Sequence, residues 1–176
     1  MNVAIIGAGP LGRWLALAAA RAGCAVRLED VMPANLHHAQ EFIRQQYSAA
    51  DNVTFMSSIE DAVRDADLAI DCVPDELESK LEIFCLLDRM APPRTVIASP
   101  TMRMSIADLA SCTYRAEKCV AMVVDARELA ARGPETVAGE LLLRTGPHTS
   151  AETVELVGAF WQRLGFTPRF EADPAS

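Results

Sequence analysis

Gly7-Ala8-Gly9-Pro10-Leu11-Gly12 stands directly behind the apolar run Val3-Ala4-Ile5-Ile6. Three glycines at this spacing, between a strand and a helix, form a cradle for phosphate. Gly7 permits a tight turn, Gly9 lets an anion approach bare backbone, and Gly12 lets the helix pack closely on the strand. The N–H groups and positive dipole end of that helix then face the phosphates. The helix, Leu11–Ala22, ends at Gly23, and the next strand delivers Asp30 eighteen residues after Gly12. An acid there accepts both hydroxyls of an adenosine ribose and repels a 2′-phosphate, which points to NAD over NADP.

Strand-like and helix-like runs alternate to position these groups. The strands are Asn2–Ile6, Ala25–Glu29, Val53–Met56, Leu68–Cys72, Thr95–Ala98 and Cys119–Val124. Between them lie the helical segments Leu11–Ala22, Pro33–Ser48, Ser58–Asp65, Asp75–Met90 and Ser105–Ser111. Leu77, Leu81, Phe84 and Leu87 mark the helical period of the fourth helix, which Pro92-Pro93 stops. After Val124 the pattern loosens into a polar, Ala-rich stretch to Pro134, then a strand Thr136–Leu143. A last helix, Ala151–Leu164, opens on a Thr149/Glu152 capping box, and an edge strand Phe166–Glu171 follows. This order predicts an α/β chain: a Rossmann-type, doubly wound, mostly parallel sheet with helices on both faces and antiparallel last strands. Residues 1–171 form a single dinucleotide-binding domain and 172–176 a loose tail.

Composition narrows the classes. The 176 residues are 51% apolar, enough for a packed core. Sixteen basic against 24 acidic residues give a net charge of −8, with no basic cluster suited to nucleic acid. No run approaches a membrane span. Cys24, Cys72, Cys85, Cys112 and Cys119 have no metal-like spacing and read as small buried thiols of a reducing cytoplasm.

From Leu68 onward the residues resemble a known family. Asp67-Leu68-Ala69-Ile70-Asp71-Cys72-Val73-Pro74-Asp75-Glu76-Leu77-Glu78-Ser79-Lys80 is similar to the fourth strand and following helix of the 3-hydroxyacyl-CoA dehydrogenase NAD-binding domain. The likeness continues through Leu86-Leu87-Asp88, Val96-Ile97-Ala98-Ser99 and Ser105-Ile106-Ala107-Asp108-Leu109. It returns at Thr149–Val154 and Leu164–Pro168. The resemblance implies NAD held by Gly7, Gly9, Pro10, Leu11, Gly12, Asp30, Val73, Asp75 and Lys80. It also implies an acyl-CoA-like or other small hydroxy substrate, a place in fatty-acid metabolism, and a homodimer or partner chain. A helical C-terminal domain follows this one in the family, and Ser176 falls about where it would begin. Asp75 is also readable as a helix N-cap and Lys80 as a solvated helix residue.

The chain departs from the family where protons move. Where the family has Ser-Asn-Thr-Ser-Ser, this sequence has Ser99-Pro100-Thr101-Met102-Arg103. The family's general-base histidine aligns with Val123, and the glutamate that orients it with Leu142, Glu140 being the nearest acid. Valine cannot take a hydroxyl proton. Among other groups, His37 and His38 read as solvated helix surface. His148 stands in a turn able to approach the cleft mouth, and Asp125 with Arg127 could hold a carboxylate, a phosphate or merely each other. Arg103 between Met102 and Met104 suits an anionic or bulkier ligand or a protein surface. Two readings follow: an NAD-dependent oxidoreductase with an altered site, or a non-catalytic NAD- or partner-binding relative. A domain for another adenine nucleotide is a third.

Overall fold

The computed structural model describes residues 1–48, 50–131 and 139–174. Eight strands form one sheet in the order β3-β2-β1-β4-β5-β6-β7-β8. They are β1 Asn2–Ile6, β2 Ala25–Glu29, β3 Val53–Met56, β4 Leu68–Asp71, β5 Val96–Pro100, β6 Cys119–Val123, β7 Gly139–Thr145 and β8 Phe166–Ala172. The first six run parallel; β7 is antiparallel to β6, and β8 is parallel to β7. The last two strands therefore oppose the rest, and the doubly wound architecture is that expected from the alternating pattern.

Alternation along each strand feeds two cores. Val3, Ile5, Leu68 and Ile70 face the layer containing α1 (Pro10–Arg21), α2 (Pro33–Gln46) and α7 (Ala151–Arg163). Ala4, Ile6 and Ala69 face α3 (Ile59–Val63), α4 (Leu77–Met90) and α5 (Ile106–Ala110). α1 is buried from Leu11 to Ala20 on all but Arg13, which explains its Ala-rich composition. Trp14 and Trp161 both meet Phe166 edge-on, at 6.3 and 5.2 Å between ring centroids, fastening the β7–α7–β8 unit beneath α1.

Several boundaries differ from expectation. α4 starts at Leu77, and its buried face is Lys80, Phe84 and Leu87, whereas Leu77 is exposed. Ser150, not Thr149, caps α7, its hydroxyl accepting the Thr153 N–H. Thr149 instead spans the preceding turn, accepting from Gly146 N–H and donating to the Cys119 carbonyl. Part of the loosened stretch is helical, α6 (Ala126–Ala131). The start of the expected strand Thr136–Leu143 lies outside the described residues, and the strand runs on to Thr145. Ala172 belongs to β8, and Asp173 donates its N–H to Thr145 O at 2.8 Å. Its carboxylate accepts Ser105 Oγ and Ala107 N–H, so the predicted loose tail is tied down through residue 173. Ala175 and Ser176 lie outside the described residues. No described helix is long and apolar enough to cross a membrane.

Candidate functional site

The carboxyl ends of β1 and β4 are the topological switch point of the sheet, where ligands of open α/β folds gather. A cleft of about 590 Å³ opens there. Gly7, Gly9, Pro10, Leu11, Asp30, Val73 and Asp75 all line it; Gly12 and Lys80 do not.

Each glycine acts differently. Gly7 has φ +103° and a Cβ there would stand 3.0 Å from the Cys72 carbonyl oxygen, so the turn and its contact with β4's end require glycine. A Cβ on Gly12 would lie 1.8 Å from Gly7 O, which fixes α1 against the loop. A Cβ on Gly9 would meet nothing within 4 Å, because this residue faces the open cleft. The first α1 hydrogen bond runs from Arg13 N–H to Gly9 O, leaving the Leu11 and Gly12 amides ahead of it; Pro10 at N1 has no amide to satisfy. This bare, amide-rich approach is the shape a pyrophosphate fits.

Asp30 is held by three donors. Its Oδ2 accepts Ala8 N–H at 2.8 Å and Asn35 Nδ2 at 3.0 Å, and its Oδ1 accepts Met32 N–H at 2.8 Å. The carboxylate thus ties the glycine loop to the end of β2 while lining the cleft. Asp75 accepts Met102 N–H at 3.4 Å, linking the loop after β4 to that after β5, and does not cap α4.

Lys80 is the main departure from expectation. It is 0% exposed, and its Nζ donates to Asp71 Oδ2 and Ser99 Oγ, both at 3.1 Å. Ser99 Oγ in turn donates to Asp71 Oδ2 at 3.0 Å. Burial pushes the Asp71 carboxyl up, and the attraction of Lys80 opposes that rise. Lys80 is neither a solvated residue nor a wall of the cleft. It clamps β4, α4 and β5 together beneath it. Its register with Phe84 and Leu87, at i+4 and i+7, is the signal that marks it as inward.

The other end of the site is aliphatic. Val123 pairs directly with Leu142 across β6 and β7. Glu140, the nearest acid, is bound to Arg169 at 3.2 Å on the exposed surface. Ser99 is committed to the buried clamp, and Pro100 closes β5 against the cleft. Cys72 lines the cleft, and burial, with Asp71 adding to it, pushes its thiol far above the ordinary range. Asp125 does not grip the Arg127 guanidinium. Its Oδ1 accepts the Arg127 and Glu128 N–H groups at the start of α6, which hold its pKa down. Arg127 itself is one of the residues that line the cleft. His37 and His38 are exposed on α2, with His37 3.5 Å from Glu41. His148 borders a separate cavity near Cys119, at the amino end of β6, away from the cleft mouth.

One cleft residue was missed by reading the sequence. Glu29 is buried yet lines the cleft, with its carboxyl pushed up to about 7 by burial and by Asp30. Arg127, read from the sequence as able to hold an anion together with Asp125, reaches the cleft wall at the start of α6, where its backbone N–H rather than its guanidinium meets that carboxylate.

A probable 3-hydroxybutyryl-CoA dehydrogenase of Bacillus subtilis is 27% identical over 181 residues, covering 94% of this chain and 60% of its own. The 5-formyl-3-hydroxy-2-methylpyridine 4-carboxylate 5-dehydrogenase of Mesorhizobium japonicum is 30% identical over 89% of this chain and 53% of its own. This chain thus spans between about half and three-fifths of the length of these two relatives. The fold matches the crystal structure of (S)-3-hydroxybutyryl-CoA dehydrogenase from Ralstonia eutropha with a TM-score of 0.86 and 24% identity, over 97% of this chain and 63% of that one. The profile described as "3-hydroxyacyl-CoA dehydrogenase, NAD binding domain" matches residues 2–123, and with the glycine cradle and Asp30 in place, the chain belongs to that family of NAD-binding domains.

Proposed function

We propose that this chain binds NAD(H) across the β1–β4 switch point and that its own residues do not carry out the family's hydroxyacyl-CoA oxidation. In this reading Gly7, Gly9, Pro10 and Leu11 line the pyrophosphate path, with Gly12 holding α1 in place. Asp30 takes the ribose diol, while Val73 and Asp75 border the adenosine. Lys80 acts from beneath, as the clamp on Asp71 and Ser99. Bound NAD supplies the hydride acceptor. Oxidising an alcohol also needs a proton acceptor, worth ~10²–10⁴ in rate. The single observation that carries the proposal is the Val123–Leu142 pair at the position of base and orienter.

A second reading is an altered-site oxidoreductase for a different hydroxy substrate. Arg127 in the cleft wall supports it, since a guanidinium there suits a substrate carboxylate. A second copy or partner chain completing the cleft belongs to either reading. Val31, which lines the cleft, is 74% exposed, and Met32, Leu77 and Met102, each near a cleft-lining residue in the sequence, are 51–56% exposed; sedimentation equilibrium showing only monomers would remove the second copy. Equilibrium fluorescence titration with NADH and NADPH tests the core proposal. NADH should bind and NADPH more weakly; binding of neither would refute it.

A further inference from the structure

Glu29 raises a question that the glycine cradle and Asp30 do not answer. Along β2, Val26 and Leu28 enter the core under α1, whereas Arg27 and Glu29 face the opposite side. Arg27 finds Asp65 at 2.9 Å. Glu29 is 2% exposed, and no donor among the described residues reaches its carboxyl. A buried carboxyl without a partner is costly. It lines the same cleft as Asp30, in a slot whose apolar lining includes Val31, Ile59, Val73 and Ile83. With phosphates on the glycine loop and ribose on Asp30, this slot is where the base would sit.

We propose that Glu29 reads the amino edge of the adenine, accepting a hydrogen bond from its 6-amino group in this slot. The proposal rests on the NAD reading above. As a neutral carboxylic acid, Glu29 can also donate to the neighbouring ring nitrogen, a two-point match to the amidine edge of adenine. The displaced nearness to ionisation, with a pKa of about 7, keeps that acid form within reach near neutral pH. A purine without the 6-amino group offers no donor at that position and leaves the Glu29 acceptor unpaired. Glu29 then contributes base specificity, a task separate from the ribose contact of Asp30.

The test is a pair of titrations of the full chain, with NADH and with its reduced analogue bearing unsubstituted purine in place of adenine, which lacks only the 6-amino group. An unmade buried hydrogen bond predicts NADH binding about tenfold tighter. Glu29→Leu should bring the two within about twofold of each other, and Glu29→Gln, which keeps one acceptor and one donor, should retain the preference. A thermal melt of each variant verifies folding. Equal binding of both dinucleotides by the wild type would overturn the role of Glu29 while leaving NAD binding intact. A preference that survives Glu29→Leu would also overturn it. Failure of NADH to bind at all would overturn both readings.

Discussion

Residues 7–30 and the carboxyl ends of β5 and β6 serve the same cleft, yet the two regions are built to opposite ends. The first is dense with donors and acceptors: open amides at the start of α1, a bare Gly9, and an Asp30 held by three N–H donors. In the second, Val123 faces Leu142, Pro100 ends β5, and Ser99 is sequestered under Lys80. In the proposed reading, one sheet keeps the geometry for a cofactor while the groups that move a proton are replaced. Cofactor shape depends on backbone packing, which glycine spacing dictates, whereas acid–base chemistry depends on single side chains that can change without disturbing the strands.

The sharpest break in this comparison comes from the clamp beneath both regions. Lys80→Met leaves Asp71 buried without its cation and should cost ~3–5 kcal/mol in chemical denaturation. Adding Asp71→Leu should recover most of that loss. A single-variant loss below ~1 kcal/mol would show that the clamp does not hold β4, α4 and β5 together. Next, Gly12→Ala drives a Cβ into Gly7 O and should cost ~1–3 kcal/mol or more, abolishing NADH binding with it. Gly9→Ala meets open space and should cost less than ~1 kcal/mol while weakening NADH. Equal stability losses at the two positions would contradict the division of roles in the loop.

Asp30→Ala should weaken NADH by about tenfold to a hundredfold, from the loss of charge-assisted hydrogen bonds, and NADPH by less. Equal losses in parallel titrations would refute the ribose role. The smallest effect concerns Glu29. Its folded pKa, about 7, lies above the ordinary 4.5, so its contribution to stability is present below pH 4.5 and is lost as the pH rises through 7. Glu29→Gln should therefore melt higher than wild type at pH 8 and lose that advantage by pH 5. A gap independent of pH would place the titration elsewhere.

Much of the fold was legible because its signals are local. β1 to β3 begin and end where the apolar runs do, and Gly7–Gly12 announced the cradle. What escaped depended on contacts distant in sequence. Lys80 meets Asp71 nine residues away and Ser99 nineteen away, on other elements, so its charge suggested solvent although its helical register pointed inward. His148 could be placed only once β7 was known to run against β6, carrying its turn to the amino end of β6. Glu29 was hidden by its neighbour, since Asp30 explained the acid that the motif needs. The Val123–Leu142 pairing was reachable by counting along a family resemblance, and the antiparallel register puts the two side by side.

The most direct measurement mixes the full chain, saturated with NADH, with excess acetoacetyl-CoA and follows NADH absorbance. Saturable NADH fluorescence together with absorbance that stays flat beyond the uncatalysed rate is the predicted result. Rapid oxidation of the bound NADH by this chain alone would contradict it.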